Sequence, residues 1–521
     1  MSKGNSATPS REGCVAVTKV YDCLIVGGGI NGAGIARDAV GRGLSVLLCE
    51  QGDLAGYTSS ASTKLIHGGL RYLEYYEFRL VRESLLERER LLEAAPHIIW
   101  PMRFILPHEK GIRPAWFVRL GLFLYDHLAP RKKLLGTESI NLKTHAAGQV
   151  LKPGFDTAFV YSDCWVEDSR LVALSALDAQ ERGAEIRVRT KLVWARRDGA
   201  TWTAALEDAE TGVTSEVRAR VLVNAAGPFV ADVLNTKLGL DTQKSVRLVK
   251  GSHIVVPKLF EGDHAFILQN EDKRIVFAIP YQSKFTLVGT TDVPIDSAPG
   301  KVEISADEVS YLCEAINHFF KREIAPADVV WTYSGVRPLF DDGTVDASAV
   351  TRDYVFDLDG AQGRAPVLSI FGGKITTFRK LAEHAMDELK PFFPAMKPSW
   401  TDTAKLPGGD MPDADFERFF ADLRARRSFL PEGQARRMAR AYGTRIEELL
   451  GGASSWADLG EDFGGGLTAA EVDYLVRREW ARSAADILWR RSKLGLHVPA
   501  GAEARIDAYL QTKKTAAIAA Q

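Results

Sequence analysis

The sequence predicts an α/β protein in which sheet-containing domains precede a separate helical domain. Three observations support this fold class. A buried strand, a glycine-rich turn, a helix of small residues and a second buried strand follow one another in YDCLIVGGGINGAGIARDAVGRGLSVLLCE, which is a βαβ unit. Between about residues 250 and 340, short strands such as HIVVP, RIVFAIPY and FTLVGTTD alternate with turn residues, as in an antiparallel sheet. Strand patterns stop after Pro391, and segments such as RRMARAYGTRIEELL have helical periodicity.

Length and composition indicate an ordinary multidomain globular chain. The 521 residues are 46% hydrophobic and 26% charged, and about 150 residues per domain suggests two to four domains. The formal net charge of −1 gives no overall field that favours nucleic acid. Five scattered cysteines without CxxC spacing indicate reduced thiols in a cytosolic protein. We expect residues 1–20 to form a disordered tail without a signal peptide, and no run of about 18 apolar residues predicts a membrane-spanning helix.

The glycines of the βαβ unit predict a dinucleotide site. Gly27, Gly29 and Gly32 form G-x-G-x-x-G between a strand and a helix, where they allow a tight turn, close approach of a pyrophosphate and close packing of the helix. The helix N-terminus offers free N–H groups to the phosphates. Glu50 ends the second strand, where a carboxylate can accept hydrogen bonds from ribose hydroxyls. The alternative is a glycine-rich corner that binds nothing.

Two distant segments favour FAD as the dinucleotide. Glu50 would repel the 2′-phosphate of NADP, whereas FAD extends far across a protein, so that remote segments must meet it. RARVLVNAAGP and APVLSIFGGK each end a strand pattern in a glycine turn, which makes Ala225, Gly227, Gly372 and Lys374 candidates for contact. For each segment alone, an ordinary turn between strand and helix remains the alternative.

The segment SSASTKLIHGGLRYLE, which begins at Ser59, directly follows this unit. It concentrates Lys64, His67 and Arg71 around a double glycine. Glycine inside a helix costs about 1 kcal/mol relative to alanine, so a plain amphipathic helix is disfavoured.

Together these segments closely resemble the FAD-dependent, aerobic respiratory glycerol-3-phosphate dehydrogenases. The resemblance extends from about residue 20 to residue 500 and includes LIVGGGINGAGIARDA, SSASTKLIHGGLRYLE, FVYSDCWVEDSRLV, LVKGSHIVVP, ILQNEDKRIVFAIPY, GTTD, WTYSGVRPL, FGGKITTFRKLAEHA, DLGEDFG and REWARSAADILWRRSKLG. It implies oxidation of sn-glycerol 3-phosphate to dihydroxyacetone phosphate by hydride transfer to FAD, with electrons passed to membrane quinone. It also implies a homodimer attached peripherally to the inner face of the cytoplasmic membrane.

The resemblance also implies the domain organisation. It predicts a glutathione-reductase-like FAD-binding Rossmann domain, a substrate domain with a mixed or antiparallel sheet, and a C-terminal all-helical cap. We place the FAD-binding domain at about residues 21–75, 160–245 and 340–390, interleaved with the substrate domain at about residues 76–159 and 246–339. The helical domain is predicted to cover residues 391–521.

The substrate is a small dianion with a secondary alcohol, which needs cations and a base. Arg337 is the first candidate for the phosphate, because a guanidinium fork matches phosphate oxygens, and Arg71 and Lys374 follow. His253 is the candidate base, since the unperturbed pKa of imidazole, about 6.5, suits a hydroxyl proton near neutrality. A structural role is its alternative. The hydroxyls of Tyr72 and Thr290 are expected to add hydrogen bonds.

The predicted cofactor contacts come from all four glycine-containing segments. They are Gly27, Gly29, Asn31, Gly32, Glu50, Ser59, Ser62, Lys64, His67, Gly69, Ala225, Gly227, Gly372, Lys374 and Thr376. His67 is the other candidate base, but we assign it mainly to contact with the flavin. The double glycine next to it is expected to let the backbone pass close to the flavin. No histidine lies in an H-E-x-x-H pattern or near a cysteine pair, so we predict no metal.

The segment IRPAWFVRLGLFLYDHLAPRKK is the candidate for membrane contact. Apolar side chains recur at helical spacing at Trp116, Leu120, Phe123 and Leu124, and basic residues accompany them at Arg113, Arg119, Arg131, Lys132 and Lys133. Such a face suits binding to anionic lipid. An amphipathic helix packed on its own domain is the alternative.

Three other functions remain open at this stage. A hydrogen-peroxide-forming glycerol-3-phosphate oxidase would share almost every motif. An amine, amino-acid or hydroxy-acid oxidase of related fold would leave the combination of Arg71, Arg337 and Lys374 unexplained. A flavin- or nucleotide-binding protein without activity is the third.

Overall fold

The computed structural model describes residues 19–109, 114–240, 242, 244–272, 274–296, 299–341, 353–360 and 363–519, with side chains up to residue 515. Residues 1–18 of the predicted tail and Arg113 lie outside the described residues.

The described strands and helices are numbered in chain order. The strands are β1 (Val20–Val26), β2 (Val46–Cys49), β3 (Leu65–Ile66), β4 (Ile99–Pro107), β5 (Glu138–Asn141), β6 (Thr157–Val166), β7 (Glu185–Arg187), β8 (Thr190–Asp198), β9 (Thr201–Asp208), β10 (Thr214–Asn224), β11 (Val246–Pro257), β12 (Ala265–Gln269), β13 (Ile275–Tyr281), β14 (Phe285–Gly289), β15 (Val293–Ile295), β16 (Trp331–Phe340), β17 (Val355–Asp359), β18 (Val367–Phe371), β19 (Asp462–Gly464) and β20 (Leu467–Thr468). The α-helices are α1 (Ile30–Gly41), α2 (Phe78–Ala94), α3 (Ala115–His127), α4 (Asp168–Glu181), α5 (Val230–Asp232), α6 (Ala306–Phe319), α7 (Phe378–Leu389), α8 (Phe416–Arg426), α9 (Glu432–Tyr442), α10 (Ile446–Leu450), α11 (Ala469–Glu479) and α12 (Ala502–Ala519).

The first sheet is the Rossmann-type sheet that the βαβ unit predicts. Its strands run in the order β17-β18-β10-β1-β2-β7, parallel from β18 to β7, while β17 and the β8–β9 ribbon pair antiparallel. Helix α1 packs on α4 and α7 over one face of this sheet. Strands β1, β10 and β18 lie side by side, so the turns at their carboxyl ends meet at one edge.

The second sheet is the mixed sheet of the substrate domain. Its order is β15-β11-β14-β13-β12-β4-β6-β3, with β16 on β11 and β5 on β6, and only the pair β12–β4 is parallel among its described pairings. Helix α6 packs against β11, β13 and β14. The predicted strand HIVVP is the end of β11, which has 12 residues. The boundary predicted near residue 160 falls inside β6, which continues this sheet to Val166.

The C-terminal domain is helical around its own core. Two predicted helices are interrupted. RRMARAYGTRIEELL is broken at Gly443, where φ is +53°, and the helix that begins at Ala469 ends at Trp480, where φ is +56°. The chain then forms a short π-helical segment, Asp486–Arg491. The domain also contains the hairpin β19–β20, which the sequence pattern did not predict. Among the helices described, none combines the length and apolarity needed to cross a bilayer.

Candidate active site

Two cavities meet where the glycine turns converge. The smaller, about 300 Å³, is lined by the turns that follow β1, β10 and β18, and we call it the glycine-turn cavity. Eight predicted cofactor residues line it, namely Gly27, Gly29, Asn31, Glu50, Ser59, Ala225, Gly227 and Gly372. Segments almost 350 residues apart in sequence therefore form one site, as the reach of FAD required.

The glycine turn is shaped for a close backbone approach. Gly27 has φ +114°, and a Cβ atom there would lie 2.5 Å from the carbonyl oxygen of Ala225. A Cβ atom on Gly32 would lie 1.9 Å from the carbonyl oxygen of Gly27, so Gly32 packs against the turn and does not line the cavity. Helix α1 begins at this point with Gly29 as its N-cap, and its first N–H, that of Ile30, donates to Ser59 Oγ at 3.0 Å. The following N–H groups of this first turn can receive a phosphate.

Glu50 and Asn31 retain acceptor capacity towards a dinucleotide. The buried Glu50 carboxylate accepts hydrogen bonds from the backbone N–H groups of Gly28, at 2.6 Å, and Gly52, at 2.7 Å. A carboxylate has about four acceptor positions, so two remain for ribose hydroxyls. Asn31 donates from Nδ2 to the carbonyl oxygen of Gly372 at 3.1 Å, while its buried Oδ1 accepts no hydrogen bond from the described residues. The site fits FAD.

The larger cavity, about 760 Å³, adjoins the first and is lined by the predicted cations, for which we call it the cationic cavity. Four carboxylate residues, Glu74, Asp163, Asp292 and Asp353, line it as well. The two cavities share Thr58, Pro338, Gly372 and Gly373 in their walls. Nine predicted residues line the cationic cavity, namely His67, Gly69, Arg71, Tyr72, Thr290, Arg337, Gly372, Lys374 and Thr376. The arrangement can hold an extended dinucleotide beside a small anionic substrate.

The guanidinium of Arg337 is oriented by two neighbours. Its Nη1 pairs with Asp292, and its Nη2 donates to Thr290 Oγ1 at 3.0 Å. Lys374 Nζ lies 3.9 Å from the centroid of the Tyr72 ring. Asp292 lines the same cavity and was missed by the sequence analysis, although it ends the GTTD motif on which the resemblance partly rests.

His253 lies behind the wall of the cationic cavity. It is 1% exposed, stacks on the Tyr333 ring at 4.7 Å, and its Nε2 lies 3.0 Å from Thr63 Oγ1. Thr63 lines the cavity, whereas His253 does not. Burial, together with the nearby charges of Lys64 and Arg337, holds the pKa of His253 well below 6.5, so the ring is neutral at neutral pH.

Ser62 and Lys64 do not line either cavity, contrary to the position expected from the sequence. Lys64 is fully buried, and its Nζ lies 2.9 Å from Asp168 and 3.1 Å from the carbonyl oxygen of Ser60. Ser62 Oγ donates to the same carboxylate at 2.8 Å. The physical reason is charge: a buried ammonium needs a carboxylate partner, and the partner is supplied by the first residue of α4.

The double glycine is held by a buried network that sequence reasoning missed. A Cβ atom on Gly68 would lie 2.5 Å from the hydroxyl of Tyr125, so this glycine makes room for a ring and not for the flavin. Its N–H donates to that hydroxyl at 2.8 Å, which in turn donates to Asp163 at 2.7 Å, and Asp163 pairs with the buried Arg88 at 2.6 Å. Gly69, at φ +78°, lines the cavity.

Comparisons with known proteins agree with this geometry. Residues 22–379 match the family described as FAD dependent oxidoreductase, and residues 399–513 match the C-terminal domain of alpha-glycerophosphate oxidase. The chain is 53% identical to a glycerol-3-phosphate dehydrogenase of Pseudomonas aeruginosa, covering 95% of this chain and 96% of that protein. It is also 53% identical to a D-erythritol 1-phosphate dehydrogenase of Brucella abortus, covering 93% and 96%. The FAD-complexed structure of a Bacillus halodurans glycerol-3-phosphate dehydrogenase is similar at a TM-score of 0.73 and 27% identity, covering 92% and 86%.

Proposed function

We propose that this chain, which belongs to the family of FAD-dependent oxidoreductases, oxidises sn-glycerol 3-phosphate to dihydroxyacetone phosphate and passes the electrons to membrane quinone. FAD is its cofactor. The observation that supports the proposal most directly is that Arg71, Arg337 and Lys374 line one cavity, which shares four wall residues with the glycine-turn cavity. The 53% identity to a protein named for this activity supports it.

The cations of the cavity are proposed to bind the substrate phosphate. Arg337 is already oriented by Asp292 and Thr290, so little conformational freedom remains to be lost when phosphate binds. Its fork can donate two parallel hydrogen bonds to phosphate oxygens. Lys374 and Arg71 line the same cavity and are proposed to add positive charge. The Tyr72 hydroxyl is proposed to bind a substrate oxygen, and Thr290, whose Oγ1 donates to the carbonyl oxygen of Thr291 at 3.2 Å, is proposed to contribute after exchanging that bond.

The substrate hydroxyl proton is proposed to pass to His253. The ring is neutral, so one nitrogen has a lone pair that can accept a proton, but the burial and nearby cations that lower its pKa also make it a weaker base than free imidazole. Since it lies behind the cavity wall, Thr63 provides the connection: its hydroxyl lines the cavity and is 3.0 Å from His253 Nε2. His67 also lines the cavity and is proposed to contact the flavin.

When bound, FAD accepts two electrons and the hydrogen that leaves the substrate carbon. The glycine turn and the N-terminus of α1 are proposed to hold its pyrophosphate, and Glu50 its ribose hydroxyls. Asn31, Ser59, Ala225, Gly227 and Gly372 line the same cavity and complete the proposed contacts. Thr376 and Gly69 contribute from the adjoining cationic cavity.

An exposed apolar face beside the cationic cavity supports contact with a membrane. On α3, Trp116, Phe117, Leu120 and Phe123 are 46–69% exposed, and Phe117 and Leu120 also line the cavity. Exposure of such an apolar face to water is unfavourable, and its burial in the interface of a lipid bilayer is favourable. Arg119 is exposed within this helix, and Lys132 and Lys133 are exposed just after its end. We therefore propose peripheral attachment of α3 to the anionic inner face of the cytoplasmic membrane, where quinone can reach the cavity.

D-erythritol 1-phosphate is the second candidate substrate. A relative that is 53% identical carries the name of a dehydrogenase for this compound. It shares a phosphate and a secondary alcohol with glycerol 3-phosphate, so the same cations would bind it. The two proposals differ in which substrate reacts with the higher kcat/KM.

Anaerobic mixing tests the function. We expect sn-glycerol 3-phosphate to bleach the flavin absorbance rapidly, and added quinone to restore it faster than oxygen does. Faster reoxidation by oxygen would favour a hydrogen-peroxide-forming oxidase, and no bleaching by either polyol phosphate would contradict the proposal. Size-exclusion chromatography with light scattering tests the homodimer that the resemblance implies.

A further inference from the structure

The C-terminal domain lies against a loop that forms part of the FAD site. Residues 53–64, which we call the 53–64 loop, follow Glu50, and their members Tyr57, Thr58 and Ser59 line the glycine-turn cavity. Residues 489–493 of the C-terminal domain, here called the basic segment, read Trp-Arg-Arg-Ser-Lys. The proposed reaction assigns no role to this segment.

The 53–64 loop is hydrogen-bonded directly to the glycine turn. The N–H of Ala55 donates to the carbonyl oxygen of Gly28 at 3.1 Å. The N–H of Ile30, the first residue of α1, donates to Ser59 Oγ at 3.0 Å. A displacement of this loop would therefore change the turn that receives the pyrophosphate.

The basic segment holds the first end of the loop through Asp53. The guanidinium of Arg491 binds both carboxylate oxygens, at 2.7 and 2.8 Å, and the side chains of Arg491 and Asp53 are 1% and 3% exposed. Arg490 Nε also donates to Asp53. Arg491 is fixed in turn by the carbonyl oxygen of Glu479, at 2.7 Å. The geometry is bidentate, which fixes direction as well as distance.

The same segment approaches the other end of the loop. Lys64 and Ser62 both bind Asp168, as described above, and Lys493 Nζ lies 3.9 Å from the second oxygen of that carboxylate. Ser169, next to Asp168, donates from Oγ to the carbonyl oxygen of Arg490 at 2.6 Å. The basic segment thus contacts the supports of both ends of the loop.

We infer that the C-terminal domain positions the FAD site: Arg490 and Arg491, acting through Asp53, hold the 53–64 loop in the conformation that binds the dinucleotide. They are positioning residues, because neither needs to touch the cofactor. A buried ion pair adds little net stability over an apolar contact, but it specifies one geometry. The inference depends on FAD as the cofactor and not on the identity of the substrate.

The release of FAD from diluted holoenzyme tests this inference, because free flavin fluoresces more strongly than bound flavin. We expect Asp53→Asn to raise the dissociation constant of FAD about tenfold or more, since it removes the charge that orients two guanidinium groups. Glu181→Gln is the matched control. Glu181 binds Arg445 and Arg478 at 2.7 and 2.6 Å, so it also links α4 to the C-terminal domain, but neither of these arginines binds the 53–64 loop. We expect the FAD affinity of the Glu181→Gln variant to stay within about twofold of wild type.

Thermal unfolding of both variants separates positioning from general stabilisation. A purely structural role would lower the unfolding temperature and leave the FAD affinity of the folded protein unchanged, and that result would overturn the inference. If Asp53→Asn does not fold, Arg490→Gln is measured instead, because the side chain of Arg490 is 21% exposed and its loss is tolerated more easily. FAD affinity within about twofold of wild type in that variant would equally overturn the inference.

Discussion

Removal of Arg337 is the perturbation that most sharply tests the proposed phosphate site. The side chain pairs with Asp292 and donates to Thr290. Arg337→Ala therefore removes the guanidinium and also leaves the Asp292 carboxylate without that partner, in the wall of the cavity that is proposed to receive a dianion. Two separate penalties are expected, and a second substitution can distinguish them.

The magnitude follows from the geometry of the pair. Hydrogen bonds to charged groups contribute about 1.5–3 kcal/mol, so the loss of a bidentate fork should cost about 3 kcal/mol, or about 150-fold in Kd. Repulsion between the Asp292 carboxylate and a phosphate dianion about 4 Å away adds about 2 kcal/mol in water, twice the value for two unit charges. The side chains of Arg337 and Asp292 are only 27% and 35% exposed, so the value for water is the lower bound of this repulsion. Asp292→Asn in the Arg337→Ala background should then recover about 30-fold in Kd.

Anaerobic stopped-flow reduction provides the assay. The dependence of the rate of flavin bleaching on substrate concentration gives Kd and the limiting rate separately. Arg218→Ala is the matched control, because Arg218 binds Asp198 at 2.9 Å and Thr201 at 2.8 Å in a similar arrangement outside both cavities. We expect this control to change Kd by less than about twofold.

Two results would refute the reasoning. An Arg337→Ala enzyme whose Kd rises by less than about fivefold would show that the guanidinium does not bind the phosphate. A double variant with the same Kd as Arg337→Ala would show that the Asp292 carboxylate does not face the bound dianion. A large fall in the limiting rate with unchanged Kd would instead place Arg337 in the chemical step.

The other predictions concern the cofactor, acid stability and the membrane. Gly32→Ala should yield protein without flavin absorbance, since the new Cβ atom would lie 1.9 Å from a carbonyl oxygen of the turn. Gly433→Ala is the control and should retain flavin absorbance, since no atom lies within 4 Å of the position of its Cβ atom. Burial lowers the pKa of His97 from 6.5 to about 3. As pH falls below 6.5, His97 therefore takes up a proton in the unfolded chain but not in the folded protein, which lowers the free energy of unfolding of the wild type. Between about pH 7 and about pH 5 this loss should be about 2 kcal/mol, and His97→Leu should not show it in urea titrations. Trp116→Ser with Phe123→Ser should weaken sedimentation with anionic vesicles about tenfold or more, and unchanged sedimentation would exclude α3 as the anchor.

Sequence reasoning succeeded where the chemistry is local. The glycine turn, the start of α1 and Glu50 lie within one βαβ unit, so their spacing alone predicted a dinucleotide site. The fold class is confirmed by the two sheets, the C-terminal helical domain and the family match. The convergence of the segments after β10 and β18 followed from the length of FAD. The roles of individual residues stay predictions.

What the sequence could not supply were partners distant in the chain. Lys64 was predicted to contact the cofactor, but its ammonium binds Asp168, which lies 104 residues away in the chain. His253 looked like a residue of the cavity wall, because nothing in LVKGSHIVVP shows that Thr63 covers it. The second glycine of the Gly68-Gly69 pair faces the cavity while the first packs on Tyr125, a difference that depends on tertiary packing alone.

A crystal structure of the full chain with FAD and sn-glycerol 3-phosphate, grown without oxygen, tests the central claim most directly. We predict the pyrophosphate at the turn Gly27–Gly32 and the substrate phosphate within hydrogen-bonding distance of Arg337. A substrate phosphate bound elsewhere, or a flavin ring outside the cationic cavity, would contradict the account.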